Sequence, residues 1–307
     1  SEGIPYHHEV VEWFESYCAE AGIECDLSVT RLARNEFYIV TGTGFATRDF
    51  DWISKNIPRG MNCQLFDITS ANAVLSLMGP NARKILAAVS KSDISNEGFG
   101  FATGKTIFIA GAPVLALRIT YVGELGWELH VPVEYALAVH DALLGAGKEH
   151  FLVNAGYRCI ESCRLEKFYR AWGSDIGPDH TPLEAGLGWA LKLKKDLPFI
   201  GREAIEAQKR QGVKKRLACF SVDDPDILLF GRETIFRNGE RVGWLTSAGY
   251  GHWLQKSIGF GYVRNADGVD KNFVLEGDYQ LEVAGLRVKC DISLDPLYDP
   301  KMTRIKI

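Results

Sequence analysis

Two hydrophobic patterns divide the chain near residue 212. Before it, segments whose apolar residues recur every three or four positions, as on one face of a helix, lie between segments in which apolar and polar residues alternate, as in a strand. After it, short alternating segments are separated only by turns. The pattern predicts an antiparallel α+β body over residues 1–212 and a separate small all-β domain, a barrel or a sandwich, over residues 213–307.

The period of the apolar residues also predicts the single elements. Helices are expected at 7–22, 45–57, after Gly79-Pro80, and at 133–150, 157–173 and 199–212. Strands are expected at 24–33 and 36–44, as a pair within 63–78, and as three antiparallel strands within 105–132. The sequence Arg-Asn-Gly-Glu at 237–240 predicts a hairpin turn.

Charge and composition argue against two classes of partner. The net charge is −4 without a basic stripe, which disfavours a nucleic-acid partner. No apolar run is long enough to span a bilayer, so no membrane partner is expected. The first residues lack the basic and apolar regions of a signal peptide, which predicts a cytoplasmic protein, or one of the mitochondrial matrix if the source is eukaryotic.

The seven cysteines do not suggest a metal site. Their number is odd, no CxxC occurs, and Cys159 and Cys163 have no histidine nearby to complete a zinc set. Reduced, buried thiols and no metal are therefore expected.

One predicted strand carries residues that strands seldom keep. TYVGELGWELHVP (120–132) holds two glutamates and two glycines. In an ideal strand Glu124, Gly126 and Glu128 share one face, but the glycines favour a bend. The glutamates belong either to a solvated hairpin or to a ligand site. A carboxylate at the base of a pocket accepts two N–H bonds from a ligand ring edge, and such charge-assisted bonds are strong and directional.

Four stretches, in order along the chain, resemble the folate-dependent aminomethyltransferase family, which includes the glycine cleavage T-protein and the C-terminal half of dimethylglycine and sarcosine dehydrogenases. They are GIECDLSVTRL (22–32), YVGELGWELHVP (121–132), CRLEKFYRAWGSDIGPDHTPLEAGLGW (163–189) and VGWLTSAGYGHWLQKSIGFGYV (242–263). The second and third are most similar to the dehydrogenase branch. The resemblance implies an α+β fold, an antiparallel-sheet body with a ferredoxin-like portion and a C-terminal β-barrel domain.

The resemblance also implies roles for single residues. Glu128 matches the glutamate that anchors the pterin ring, Asp26 matches the catalytic carboxylate, and Glu124 then belongs to the turn before the strand. Flat rings stack favourably, so the folate rings are expected beside aromatic side chains. Each of these aromatic side chains could instead belong to the hydrophobic core. The predicted cofactor-binding set is completed by Tyr121, Trp172, Trp189, Arg158 and Arg232.

The implied activity is one-carbon transfer to tetrahydrofolate, the methylene coming from a small N-methyl amine. Such a transfer needs a proton relay or an electrostatic stabiliser for an iminium-like centre, the role expected for Asp26. FAD is expected only if a separate or missing N-terminal flavin dehydrogenase domain supplies it, since these residues hold no flavin fingerprint. Three alternatives stay open: an aminomethyltransferase that acts on a lipoyl carrier, a folate-dependent demethylase, and a non-catalytic regulatory relative of the same family.

The sequence departs from the family at two places. T-protein members carry an arginine four residues before the arginine of RLE, where this chain has Ile160; Arg158 lies two residues further back, a large rotation on a helix. The segment before Asp26 is short and does not resemble the family, so a shortened N-terminus is expected.

Overall fold

The structure is a computed structural model that describes residues 8–11, 22–195 and 198–307. Its contacts separate two compact units. The first comprises the strand at 8–11 with Leu27–Ala155 and Met302–Ile307, and the second comprises 22–26 with Gly156–Lys301. The domain boundary at residue 212 stays a prediction.

The first unit is built on a seven-stranded sheet in which every neighbouring pair runs antiparallel. Across the sheet the strands are ordered β3-β2-β1-β5-β6-β7-β4. The three antiparallel strands predicted within 105–132 are confirmed as β5, β6 and β7. The strand bounds are β1 His8–Val11, β2 Leu27–Ala33, β3 Glu36–Thr41, β4 Asn72–Met78, β5 Thr103–Ile109, β6 Ala112–Leu117 and β7 Gly126–Pro132.

Helices cover one face of this sheet. Helices α2 and α3 pack beside each other and against β7. They bury a continuous apolar core with the strands, and this layering is the one that a ferredoxin-like portion implies. The core members include Ile85, Leu86, Ile107, Val114, Trp127, Leu129, Val139 and Leu143. The helix bounds are α1 Ala46–Asn56, α2 Ala82–Val89 and α3 Ala136–Gly147.

The second unit is built on another seven-stranded antiparallel sheet, ordered β13-β12-β9-β10-β11-β8-β14. Strands β12 and β8 are each second from an edge, on opposite sides of the sheet, yet their side chains belong to one core cluster. The sheet therefore curves around its core. The strand bounds are β8 Lys215–Val222, β9 Thr234–Arg237, β10 Glu240–Gly251, β11 Lys256–Arg264, β12 Tyr279–Val283, β13 Leu286–Lys289 and β14 Asp291–Ser293. The helix bounds are α4 Tyr157–Glu166, α5 Arg202–Gln211 and α6 Lys271–Leu275.

The predicted hairpin turn at 237–240 is confirmed. It joins β9 to β10, and both central residues take left-handed backbone conformations, with φ of 51° at Asn238 and 86° at Gly239. Asparagine and glycine are the residues that tolerate this conformation, and its twist matches that of the flanking strands.

Three predicted elements differ from the structure. Residues 8–11 of the expected helix 7–22 pair as a strand, and the rest of that helix lies outside the described residues. Helix α4 ends at Glu166 instead of running to 173, because Phe168 takes a left-handed conformation (φ 57°) and turns into the core. Only β4 forms within 63–78, since the Asp67 carboxylate accepts the Thr69 N–H and turns the backbone.

We expect Leu86→Ala to lower the free energy of unfolding by about 2–5 kcal/mol, because it removes fully buried contacts and leaves a cavity between α2 and the sheet. Leu137→Ala on α3 is the matched control: its side chain is 73% exposed, and a change within about 0.5 kcal/mol is expected. Urea unfolding followed by fluorescence measures both. Equal losses in the two variants would contradict the described core.

Candidate functional site

Strand β7 divides its side chains between the two faces of the first sheet. Trp127, Leu129 and Val131 point into the helix-covered core and are fully buried. Glu128 and His130, at the intervening positions, therefore lie on the opposite face. On that face Glu128 is paired across the strands with Leu117, which is apolar and buried.

The glycines of this stretch have distinct local causes. Gly123 lies in the bend before β7 with φ of 73°, a conformation that favours glycine. Gly126 opens the strand against β4, where a Cβ atom would lie 2.6 Å from the Leu77 carbonyl oxygen. The bend holds the half-buried Glu124, as expected for a turn residue, while Glu128 belongs to the strand proper.

Glu128 is one end of a row of three polar side chains. The Tyr38 hydroxyl lies 3.1 Å from Nδ1 of His130, and Nε2 of His130 lies 3.8 Å from Oε2 of Glu128. The Tyr38 and His130 rings meet edge to face, with centroids 5.1 Å apart. His130 is almost fully buried, whereas 22% of the Glu128 side chain is exposed.

This row exists because the sheet curves. Tyr38 is on β3 and His130 on β7, and five strand spacings separate them in the sheet order. In a flat sheet that separation would be about 24 Å, at roughly 4.8 Å for each spacing. The 3.1 Å distance between Tyr38 and His130 therefore shows that the face that carries Glu128 is concave.

The electrostatics of the row keep the Tyr38 phenol protonated. Its pKa is raised above 10, first by burial and then by the negative charge of Glu128. A protonated phenol can donate its hydrogen to the imidazole, which orients the ring next to the carboxylate.

Asp26 lies in the second unit, half-buried and directly before β2. Its segment is held by the Ile23 N–H, which donates to the carbonyl of His180 at 2.9 Å. Gly22 permits this close approach, since a Cβ atom there would lie 1.8 Å from the Pro178 carbonyl oxygen. Trp172 Nε1 donates to the Ile23 carbonyl at 3.3 Å, so the structure brings Trp172 to the segment that ends in Asp26.

His180 is packed as a neutral ring. It stacks on Tyr262 with centroids 4.6 Å apart. Burial, followed by the positive charge of Lys215, lowers the pKa of His180 to about 4.

The other predicted site residues lie at the surface. Tyr121 is in the bend before β7, and Trp189 is 68% exposed two residues after the buried Leu187. Arg158 is exposed on α4, and Arg232 is exposed with a left-handed backbone. Their roles stay predictions.

The RLE stretch has a structural role within the second unit. Nη1 of Arg164 donates to Oδ2 of Asp175 at 2.8 Å, and both side chains are buried. The same guanidinium donates to Oε2 of Glu161 at 2.8 Å and to Oγ of Ser247 at 2.9 Å. The Thr246 hydroxyl donates to the other Asp175 oxygen at 2.5 Å. One buried network thus joins the RLE, GSDI and TSAGY stretches.

Glu166 and Lys167, at the end of α4, contact other segments of the same unit. Oε1 of Glu166 accepts the N–H groups of Trp253 and Leu254 at 2.8 and 2.9 Å. Nζ of the fully buried Lys167 lies 3.1 Å from Oδ2 of Asp299.

Sequence reasoning missed Tyr38 and His130. The alternation of β7 was a usable signal for His130, because it places this residue on the face of Glu128. Tyr38 gave no such signal, since its contact with His130 spans 92 residues of sequence.

Two family models match this chain. The GCVT N-terminal domain matches residues 16–195, and the glycine cleavage T-protein C-terminal barrel domain matches residues 215–299. The chain belongs to the glycine cleavage T-protein family. The predicted family resemblance and the predicted α+β fold with a C-terminal β-barrel are confirmed.

Individual proteins agree with this assignment. The chain is 40% identical over 301 residues to mitochondrial sarcosine dehydrogenase of Mus musculus, covering 93% of this chain and 33% of that protein. It is 38% identical over 242 residues to mitochondrial dimethylglycine dehydrogenase of Homo sapiens, covering 78% of this chain and 28% of that protein. The chain thus spans about a third of the length of these curated relatives.

The fold matches a solved structure as well. Glycine cleavage system aminomethyltransferase T from Bartonella henselae superposes with a TM-score of 0.78 at 27% identity, covering 92% of this chain and 74% of that one.

Two further properties concern the described residues alone. None of their helices is both long and apolar enough to cross a membrane. Their His, Cys, Asp and Glu side chains form no group of three or more that could hold a metal ion.

We expect Arg164→Met to lower the free energy of unfolding by about 3–5 kcal/mol, because it leaves the Asp175 carboxylate buried without its ion-pair partner. Arg158→Met changes an exposed arginine on the same helix and should stay within about 0.5 kcal/mol. Urea unfolding measures the difference. A stable Arg164→Met variant would show that the buried pair does not support the fold.

Proposed function

We propose that this chain is a tetrahydrofolate-binding one-carbon transferase domain, which takes the methylene released on oxidation of an N-methyl amine and yields 5,10-methylenetetrahydrofolate. Family membership supports the reaction class. The observation that carries the proposal is Glu128: a partly exposed carboxylate on a concave sheet face, beside the buried His130.

The residues present fit a reduced pterin. Its ring edge offers several N–H donors, and a carboxylate accepts two of them in a fork. Only Oε2 of Glu128 faces His130, so acceptor capacity remains for a ligand. The buried Thr30 hydroxyl, which pairs across the strands with Tyr38 on the same face, has no hydrogen-bond partner among the described residues. The Glu128 carboxylate beside the apolar Leu117 suits a flat, polar-edged ring.

The proposed chemistry assigns one task to each predicted residue. Bound tetrahydrofolate supplies the nitrogens N5 and N10 that take up the one-carbon unit. Glu128 binds and orients the pterin edge. The Asp26 carboxylate stabilises positive charge on the one-carbon unit and relays a proton. Stacking and charge contacts to the rest of the folate are proposed for Tyr121, Trp172, Trp189, Arg158 and Arg232.

The donor is proposed to come from a dehydrogenase partner. The relatives of which this chain spans a third are named sarcosine and dimethylglycine dehydrogenase, which favours a small N-methyl amino acid as the oxidised substrate. A flavin dehydrogenase domain would supply FAD and release the one-carbon unit. The proposed compartment is the cytoplasm or, if the source is eukaryotic, the mitochondrial matrix; the names of both relatives say that they are mitochondrial.

The alternatives differ in what they require. A non-catalytic regulatory relative needs neither folate binding nor one-carbon transfer, whereas a folate-dependent demethylase needs both together with a methyl donor. Retention of both Asp26 and Glu128 favours an active enzyme over the regulatory alternative.

We expect Glu128→Ala to weaken folate binding by at least tenfold, because hydrogen bonds to a charged group contribute about 1.5–3 kcal/mol each and tenfold in Kd corresponds to about 1.4 kcal/mol. Titration calorimetry with folinic acid measures Kd. Glu134→Ala, an exposed glutamate just after β7, is the control and should bind as the wild type does. No binding heat with the wild-type protein would overturn the proposed function.

We expect Asp26→Ala to leave the Kd for folinic acid nearly unchanged and to slow transfer by about 10²–10⁴-fold, the usual contribution of a positioned acid or base. The rate of 5,10-methylenetetrahydrofolate formation from saturating tetrahydrofolate and formaldehyde, less the uncatalysed rate, measures transfer. Asp51→Ala changes an exposed aspartate on α1 and should keep the full rate. A wild-type rate in Asp26→Ala would remove Asp26 from the mechanism.

A further inference from the structure

The side chains of Tyr38 and His130, which lie next to Glu128, have no role in the proposed chemistry. His130 is almost fully buried, and its Nε2 atom has no hydrogen-bond partner among the described residues. Tyr38 is half-buried and directs its hydroxyl to the other imidazole nitrogen. A buried polar atom without a partner is costly, so an apolar side chain would pack here more favourably if packing were the only requirement.

We propose that Tyr38 and His130 are positioning residues, a hydrogen-bonded pair that holds the Glu128 carboxylate in place for the pterin edge. This role rests on the proposed function. Tyr38 Oη lies 3.1 Å from His130 Nδ1 and forms the hydrogen bond of the pair. On the other side of the ring, His130 Nε2 lies 3.8 Å from Glu128 Oε2.

The neighbours of the two ring nitrogens of His130 favour one arrangement of the hydrogens. In that arrangement the Tyr38 hydroxyl donates to Nδ1 of His130, and Nε2 carries the ring hydrogen. That hydrogen faces Oε2 of Glu128. The opposite tautomer would place a bare nitrogen lone pair against a carboxylate oxygen, which is repulsive.

Ligand binding then shortens the distance between Nε2 of His130 and Oε2 of Glu128. A separation of 3.8 Å is too long for a hydrogen bond, and hydrogen bonds in ligand-free sites often shorten when the ligand arrives. A small rotation of the Glu128 side chain closes the gap. Oε2 then accepts from His130 and from the ligand together, because each carboxylate oxygen has two lone pairs.

Nitrogen-15 NMR of histidine-labelled protein tests the tautomer without any ligand. The wild type should show His130 with hydrogen on Nε2 and a bare Nδ1. In Tyr38→Phe the loss of the donor should shift the Nδ1 resonance and mix the tautomers. Tyr135→Phe, an exposed tyrosine of the same unit, should leave the His130 signals unchanged. An imidazolium, or hydrogen on Nδ1, in the wild type would overturn the proposal.

Binding of folinic acid tests the positioning role. Tyr38→Phe should raise Kd by roughly two- to tenfold, the loss expected for one hydrogen bond. His130→Leu should raise Kd further, whereas His130→Gln, whose amide can donate from the place of Nε2, should restore most of the affinity. Circular dichroism and the melting temperature verify that each variant is folded.

The outcomes separate the two proposals. If Glu128→Ala loses folinic acid while Tyr38→Phe and His130→Leu bind it as the wild type does, the proposed function stands and the positioning role is wrong. Equal affinities for His130→Leu and His130→Gln would likewise reduce His130 to packing. If the wild type binds no folinic acid, the proposed function fails, and the positioning role fails with it whatever the tautomer.

Discussion

Tyr38 and His130 touch because the first sheet curves, and the candidate site on this unit depends on that curvature. Helices α2 and α3 cover one face and bury an apolar core there. The other face is left concave, and strand alternation directs Glu128 and His130 into it. Antiparallel strands joined by short connections can curve in this way because each strand carries the same right-handed twist. Without the curve, Glu128 would be one carboxylate on an open sheet.

The second unit depends on a different constraint, the buried pair of Arg164 and Asp175. Two charges can remain buried only when they face each other and their other hydrogen-bonding groups are occupied, and Glu161, Thr246 and Ser247 meet that condition here. Residues that make the family resemblance specific therefore include some that maintain the fold. A family motif is thus no guide by itself to which residues do chemistry.

Local patterns predicted most of the elements. The strands of 105–132, helix α5 with its terminal Gly212 and the Asn238-Gly239 turn all follow from periodicity and backbone preference. Prediction failed where long-range contacts decided the backbone: α4 stops at Glu166 because Phe168 packs into a core that is formed mostly by residues of the distant strands β8 and β11.

The sequence by itself determined the family and the fold class. It also determined that Glu124 belongs to a turn whereas Glu128 belongs to a strand. These depend on ordered motifs and on local conformational preference, which are properties of short segments. Only the tertiary structure decided that Tyr38 and His130 lie behind Glu128, and that Arg164 lies beside Asp175. Such contacts arise from sheet curvature and from burial, and both are set by how distant segments pack rather than by any one of them.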